Sequence, residues 1–110
     1  MKNVLISLSG KCSTNHNLKI IEFTDIVGVD GGTQHLIERS ITPSVVLGDL
    51  DSIEPDLLKK IKSMNIKFIS YESDKDKTDF ELSLDNIEKP NEKNIFLIGG
   101  EEGEVDHLFS

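Results

Sequence analysis

Hydrophobic positions along the chain fall in short β-branched runs separated by longer stretches of mixed polarity. The runs Val4–Leu8, Ile26–Val29, Val45–Leu47, Lys67–Ser70 and Asn94–Ile98 predict strands. Several are nearly continuous apolar runs rather than alternating ones, the pattern of strands covered on both faces in a parallel sheet. Between them the apolar spacing becomes helical. From Ile53 to Met64 the positions Leu57, Leu58, Ile61 and Met64 form one stripe, with Lys59, Lys60 and Lys62 elsewhere. Asp51 or Ser52 is placed to cap that helix, and Pro55 suits its first turn. A second helix is predicted from Thr78, where Glu81 completes a capping box, with Phe80, Leu84 and Ile87 as its stripe and Pro90 just beyond its end. Gly32 to Arg39 predicts a shorter helix. Lys11 to Phe23 fits a helix or a buried strand through Leu18, Ile20 and Ile21, and Asp106-His107-Leu108-Phe109 reads as the start of a further helix.

A strand followed by repeated helix–strand units predicts an α/β fold, a mainly parallel sheet with helices on both faces in the Rossmann manner. No repeat, low-complexity tract or Pro/Gly linker divides residues 1–110, so one domain is expected. A chain that stops as a further element begins is expected to come from a longer protein. The formal net charge of −8 disfavours nucleic acid or an anionic membrane as partner and is compatible with cations and metal-bound nucleotides. Cys12 is the single cysteine, which excludes an intrachain disulfide and makes a reducing cytoplasm the expected location. The apolar runs are too short to span a bilayer, and the first residues lack a secretory hydrophobic region.

The acidic residues follow the strand-like runs. Val29 leads into Asp30-Gly31-Gly32, Leu47 into Gly48-Asp49-Leu50-Asp51-Ser52, and Ile98 into Gly99-Gly100-Glu101-Glu102-Gly103. Ser70 leads within a few residues to Asp74-Lys75-Asp76-Lys77-Thr78-Asp79. In an open parallel sheet the ligand crevice lies outside the carboxyl ends of the strands, so these stretches are expected at one edge. Carboxylates gathered there repel one another unless a cation joins them, and hard oxygen ligands suit Mg²⁺. Residues i and i+2 of an extended segment point the same way, so Asp49 and Asp51 can reach one ion. Glycines allow close approach of backbone to phosphate, and helix starts at Gly32 and Thr78 offer N–H groups to anions. Each motif also has a structural reading: Asp-x-Asp-Ser as a cap and turn, Thr78 to Glu81 as a capping box, Asp30-Gly31-Gly32 as a tight turn. Neither a G-x-G-x-x-G fingerprint nor a P-loop is present. His35 reads as a packing or surface histidine, His16 and His107 lack metal spacing, and Cys12 has no base partner in sequence.

As a set the motifs resemble the catalytic domain of the thiamine pyrophosphokinase family. Asp30-Gly31-Gly32 with Ile41-Thr42-Pro43-Ser44-Val45-Val46-Leu47-Gly48-Asp49-Leu50-Asp51-Ser52 is similar to its first part. Lys75-Asp76-Lys77-Thr78-Asp79-Phe80-Glu81-Leu82 is similar to its second acidic motif, and Gly99 to His107 to its glycine-rich one. The resemblance implies transfer of pyrophosphate from ATP to the thiamine hydroxyl, with AMP leaving. It implies Mg²⁺ on Asp49, Asp51, Asp76 and Asp79, with Asp49, Asp51 and Asp79 catalytic. The nucleotide is expected on Asp30, Gly31, Gly32, Lys75, Thr78, Gly100, Gly103 and Asp106. It implies also a following β-sandwich domain, absent from these residues, and a homodimer of the complete enzyme. The isolated chain is then expected to be inactive. Two departures point to weaker nucleotide binding: Glu104 stands where the family often has arginine, and Thr33-Gln34-His35 where it commonly has Ala-Asn-Arg. The alternatives are a pyrophosphokinase for another small alcohol, such as a hydroxymethyl pterin, and a non-catalytic nucleotide- or metal-binding module.

Overall fold

A computed structural model describes residues 2–12, 18–49, 53–71, 78–100 and, as backbone, 106–109. Strands β1 (Lys2–Ser7), β2 (Asp25–Val29), β3 (Val45–Gly48), β4 (Lys67–Ser70), β5 (Lys93–Ile98) and β6 (Asp106–Phe109) form one sheet in the order β4-β3-β2-β1-β5-β6. β1 to β5 pair in parallel, and β6 joins the far side of β5 antiparallel. Helices α1 (Gly32–Glu38), α2 (Pro55–Ser63) and α3 (Asp79–Asp85) connect successive strands.

The continuous apolar runs have the predicted cause. Val4, Leu5 and Ile6 are all fully buried, because both faces of β1 are covered. On one face Leu5 and Ile98 pack with Leu36 of α1, while Val46 packs with Leu57 and Ile61 of α2. On the other face Val4, Ile6, Val27, Val29, Leu47 and Ile95 form a layer under Phe80 and Leu84 of α3, with Ile87 just past its end. The chain builds outward from β1 to β4 and then returns past β1 to place β5. α3 makes that return and lies on the face opposite α1 and α2, as right-handed crossovers in opposite directions require. The reversal between β1 and β5 is the topological switch point of the sheet.

Three local expectations are corrected. Residues Asp106–Phe109 are a strand, not the start of a helix: the open edge of β5 supplies main-chain partners, with Asp106 opposite Leu97 and Phe109 opposite Ile95. α2 begins at Pro55 with Glu54 in the cap position and no side-chain cap, while Asp51 and Ser52 lie outside the described residues. Met64 follows α2 and is 38% exposed rather than part of its buried stripe. In the ambiguous segment, a 3-10 turn at Leu18–Ile20 buries Leu18 and leaves Ile20 exposed. Among the described residues no helix is long and apolar enough to cross a membrane.

Candidate functional site

Parallel pairing puts the carboxyl ends of β1 to β5 at one edge, so the segments that follow them meet there. Asp30 follows β2 in a left-handed conformation, φ 48°, which aspartate tolerates better than most residues. Every polar group of Asp30 is engaged. Its N–H donates to the Leu47 carbonyl at 2.8 Å, and its carbonyl accepts from the Thr33 N–H at 3.1 Å. Oδ1 accepts from the Asp49 N–H at 2.9 Å, and Oδ2 accepts from the Tyr71 hydroxyl at 2.6 Å. Asp30 therefore ties the end of β2 to the ends of β3 and β4.

Asp49 is buried directly after β3, and its carbonyl accepts from the Ile53 N–H at 2.9 Å, just ahead of α2. Tyr71 stands in the same place after β4: Gly48 pairs with Ser70, and the Tyr71 N–H donates to the Gly48 carbonyl at 3.0 Å. Its ring packs in the layer under α3, and its hydroxyl also lies 3.2 Å from Oδ1 of Asp79, the first residue of α3. Burial raises the phenol pKa far above its ordinary range, helped by the hydrogen bond to Asp30 and the negative charge of Asp30 and Asp79. A protonated hydroxyl is what two converging carboxylates require. Thr78 caps α3 through the expected capping box, its Oγ1 accepting from Glu81 N–H at 3.2 Å while Glu81 Oε1 accepts from Thr78 N–H at 3.1 Å.

The glycines divide by cause. Gly32 has no room for a Cβ, which would stand 2.1 Å from the Ser7 carbonyl oxygen, and Ser7 Oγ donates to the Gly32 carbonyl at 2.6 Å. Gly31, exposed at φ −62°, meets no such obstacle among the described residues. Gly99 and Gly100 have φ of 87° and 78°, and the Gly100 N–H donates to the Ser9 carbonyl at 3.1 Å, joining the two turns at the switch point. The variant triplet on α1 is accommodated structurally. Thr33 is buried against Gly28, and Gln34 Nε2 donates to Glu38 at 3.4 Å. His35 Nε2 lies 2.6 Å from the Gly10 carbonyl, to which it donates as the Nε2–H tautomer. With Arg39, which reaches the Cys12 carbonyl, His35 pins the segment after β1 to α1.

The structure thus brings Asp30 and Asp79 together on Tyr71, ties Asp49 to Asp30 through its main-chain N–H, and places Gly31, Gly32, Thr78 and Gly100 at the same edge. By register the start of β6, Asp106, also lies there, opposite Leu97 near the end of β5. Asp51, Lys75, Asp76 and Gly103 lie outside the described residues. Among the described residues no group of three or more His, Cys, Asp or Glu side chains is placed to hold a metal. Asp30 and Asp79, which meet at the Tyr71 hydroxyl, carry carboxylate oxygens, the donor type that suits a hard cation. Mg²⁺ commonly takes only one or two protein carboxylates and fills its other positions with water and phosphate oxygens. Tyr71 was missed from sequence; the available signal was its position immediately after a strand, matching Asp30 after β2 and Asp49 after β3.

A doubly wound sheet with acidic and glycine turns gathered at the strand ends beside its switch point defines an α/β domain of the class whose ligands bind at that edge. Residues 18–110 match the family described as thiamin pyrophosphokinase, catalytic domain. The chain is 39% identical over 89 residues to a thiamine pyrophosphokinase of Bacillus subtilis (strain 168), covering 79% of this chain and 41% of that protein. The crystal structure of thiamine pyrophosphokinase from Bacillus subtilis superposes with a TM-score of 0.70 at 28% identity, covering 92% of this chain and 49% of that one. The structure of thiamin pyrophosphokinase from Candida albicans gives 0.61 at 31% identity over 76% of this chain and 30% of that one. The chain belongs to the thiamin pyrophosphokinase catalytic-domain family. It spans less than half the length of these relatives.

Proposed function

We propose that this chain is the nucleotide-binding part of an enzyme that transfers pyrophosphate from ATP to thiamine, giving thiamine diphosphate and AMP. The observation that carries this reading is the network at the strand ends of a domain of this family, in which Asp30 and Asp79 share the Tyr71 hydroxyl and Asp30 holds the Asp49 main chain. In the reaction the thiamine hydroxyl oxygen bonds to the β-phosphorus and gives up its proton to an aspartate of the site, the bond from that phosphorus to the α–β bridging oxygen breaks, and AMP departs. Asp49 and Asp79, with Asp51 and Asp76, would hold Mg²⁺, which when bound neutralises charge on the phosphates. Gly31, Gly32, Gly100 and Gly103, with Lys75, Thr78 and Asp106, would seat the nucleotide. Holding donor and acceptor in line supplies much of the acceleration in transfers of this kind. The thiamine face and a second subunit are assigned to a further β-sandwich region of a longer protein, and the cytoplasm is the proposed location.

The test is Asp49→Asn in the complete enzyme, which keeps size and removes charge. Turnover should fall by ~10²-fold or more, as when a group stabilising the transition state is lost. Near-normal turnover would overturn the assignment. Residues 1–110 alone should release no AMP in a thiamine-dependent manner, and a hydroxymethyl pterin offered to the complete enzyme in place of thiamine should not serve as acceptor.

A further inference from the structure

We propose that Tyr71 is a positioning residue of this site, its hydroxyl setting the orientation of Asp30 and Asp79 and, through Asp30, of the Asp49 turn. The inference rests on the functional reading above for its consequence and on geometry for its substance. The Tyr71 ring fills space under α3 that a phenylalanine would fill equally well, so burial alone does not call for the hydroxyl. That hydroxyl is spent on the site carboxylates, at 2.6 Å from Asp30 Oδ2 and 3.2 Å from Asp79 Oδ1. The other oxygen of Asp30 receives the Asp49 N–H at 2.9 Å. A continuous relay therefore runs from the end of β4 through the end of β2 to the end of β3, with a branch to the start of α3. Without the phenol, two like-charged side chains have no common donor and turn apart. Asp30 then keeps one fewer restraint on the rotamer that holds Asp49. A tyrosine suits the task because its ring is fixed by packing and its single polar atom moves little.

The experiment compares the 110-residue chain with Tyr71→Phe and with Leu84→Ala, which disturbs the same layer without touching the relay. Amide exchange of Asp49, followed by NMR without metal, is the primary readout, and Mg²⁺ titration of the folded proteins is the second. In Tyr71→Phe the Asp49 amide should exchange roughly tenfold faster relative to the Val46 and Leu47 amides, the scale of losing one charge-assisted hydrogen bond. Leu84→Ala should leave that ratio unchanged. The Mg²⁺ midpoint should rise by roughly ten- to a hundredfold in Tyr71→Phe, the usual range for removing a partner of a ligating carboxylate. An unchanged Asp49 ratio or an unchanged midpoint in Tyr71→Phe would overturn the proposal. So would a wild-type Asp49 amide that exchanges as freely as an exposed loop, a result that needs no variant. If the wild-type chain shows no response to Mg²⁺, a preformed metal site is removed from the functional reading, and the Asp49 exchange alone then decides the role of Tyr71.

Discussion

Gly32→Ala sets helix propensity against backbone packing. Gly32 opens α1, where alanine is intrinsically better than glycine by roughly 1 kcal/mol. The structure reverses the sign. A Cβ there would stand 2.1 Å from the Ser7 carbonyl oxygen, 2.5 Å from its carbon and 2.6 Å from the Leu8 carbonyl carbon. These are main-chain atoms, and Ser7 is held between Gly28 of β2 and Ile98 of β5, so the obstacle has no cheap way to move. Overpacking costs ~1–3 kcal/mol, and a rigid obstacle puts this case at the upper end. Net of the propensity gain, the loss is about 2 kcal/mol, which lowers the unfolding midpoint by on the order of 10 °C in a domain of this size. Gly31→Ala is the control, since its φ of −62° suits any residue and, among the described residues, its Cβ would meet only Ser9 Cβ at 3.5 Å. It should change stability by no more than ~0.5 kcal/mol. Urea unfolding followed by circular dichroism decides between them. A Gly32→Ala protein as stable as the parent, or a Gly31→Ala protein equally damaged, would refute the reasoning. A stable Gly31→Ala variant also separates fold from ligand: in the complete enzyme, a raised KM for ATP would show that this glycine serves phosphate approach.

Thr78→Ala removes the side-chain half of the capping box on α3 and should cost ~1 kcal/mol in a thermal or urea melt, with Thr78→Ser recovering most of it. Thr33 Oγ1 is buried without a hydrogen-bond partner among the described residues, so the near-isosteric Thr33→Val should be neutral or stabilising by up to ~1 kcal/mol by the same measurement. The raised phenol pKa of Tyr71, from burial first and then its bond to Asp30, favours the protonated form in the fold. Its stabilisation is therefore complete below the unfolded value of ~10 and is lost as pH climbs through the folded value. Because Tyr71 is the only tyrosine, tyrosinate absorbance of the metal-free chain should appear together with alkaline unfolding. A reversible titration near pH ~10 with the fold intact would contradict this.

The parts of this molecule that were legible in sequence are those whose causes are local. β4 was delimited from its own residues, and the Thr78–Glu81 box is a contract between neighbours three positions apart. The shared edge was legible as well, because parallel strands place every following segment on one side whatever its side chains do. β6 was not, since four residues beginning Asp-His become a strand only when the edge of β5 is there to pair with. The relay was hidden for the same reason: Tyr71 and Asp30 are 41 positions apart, and Asp30 and Asp49 are 19 apart. Its place directly after a strand marks Tyr71 as an edge residue, but nothing in that window says which carboxylates it meets. Gly32 carries the sharper lesson. A glycine after an acidic strand end is compatible with phosphate approach and with a neighbouring backbone that leaves no room for a side chain. The second alternative requires knowing that β1, which precedes Gly32 by some twenty-five positions (the separation of Ser7 from Gly32), ends against it. A glycine in such a motif is therefore evidence of crowding before it is evidence of a ligand, and only a variant that keeps the fold, such as Gly31→Ala, can test the ligand's share.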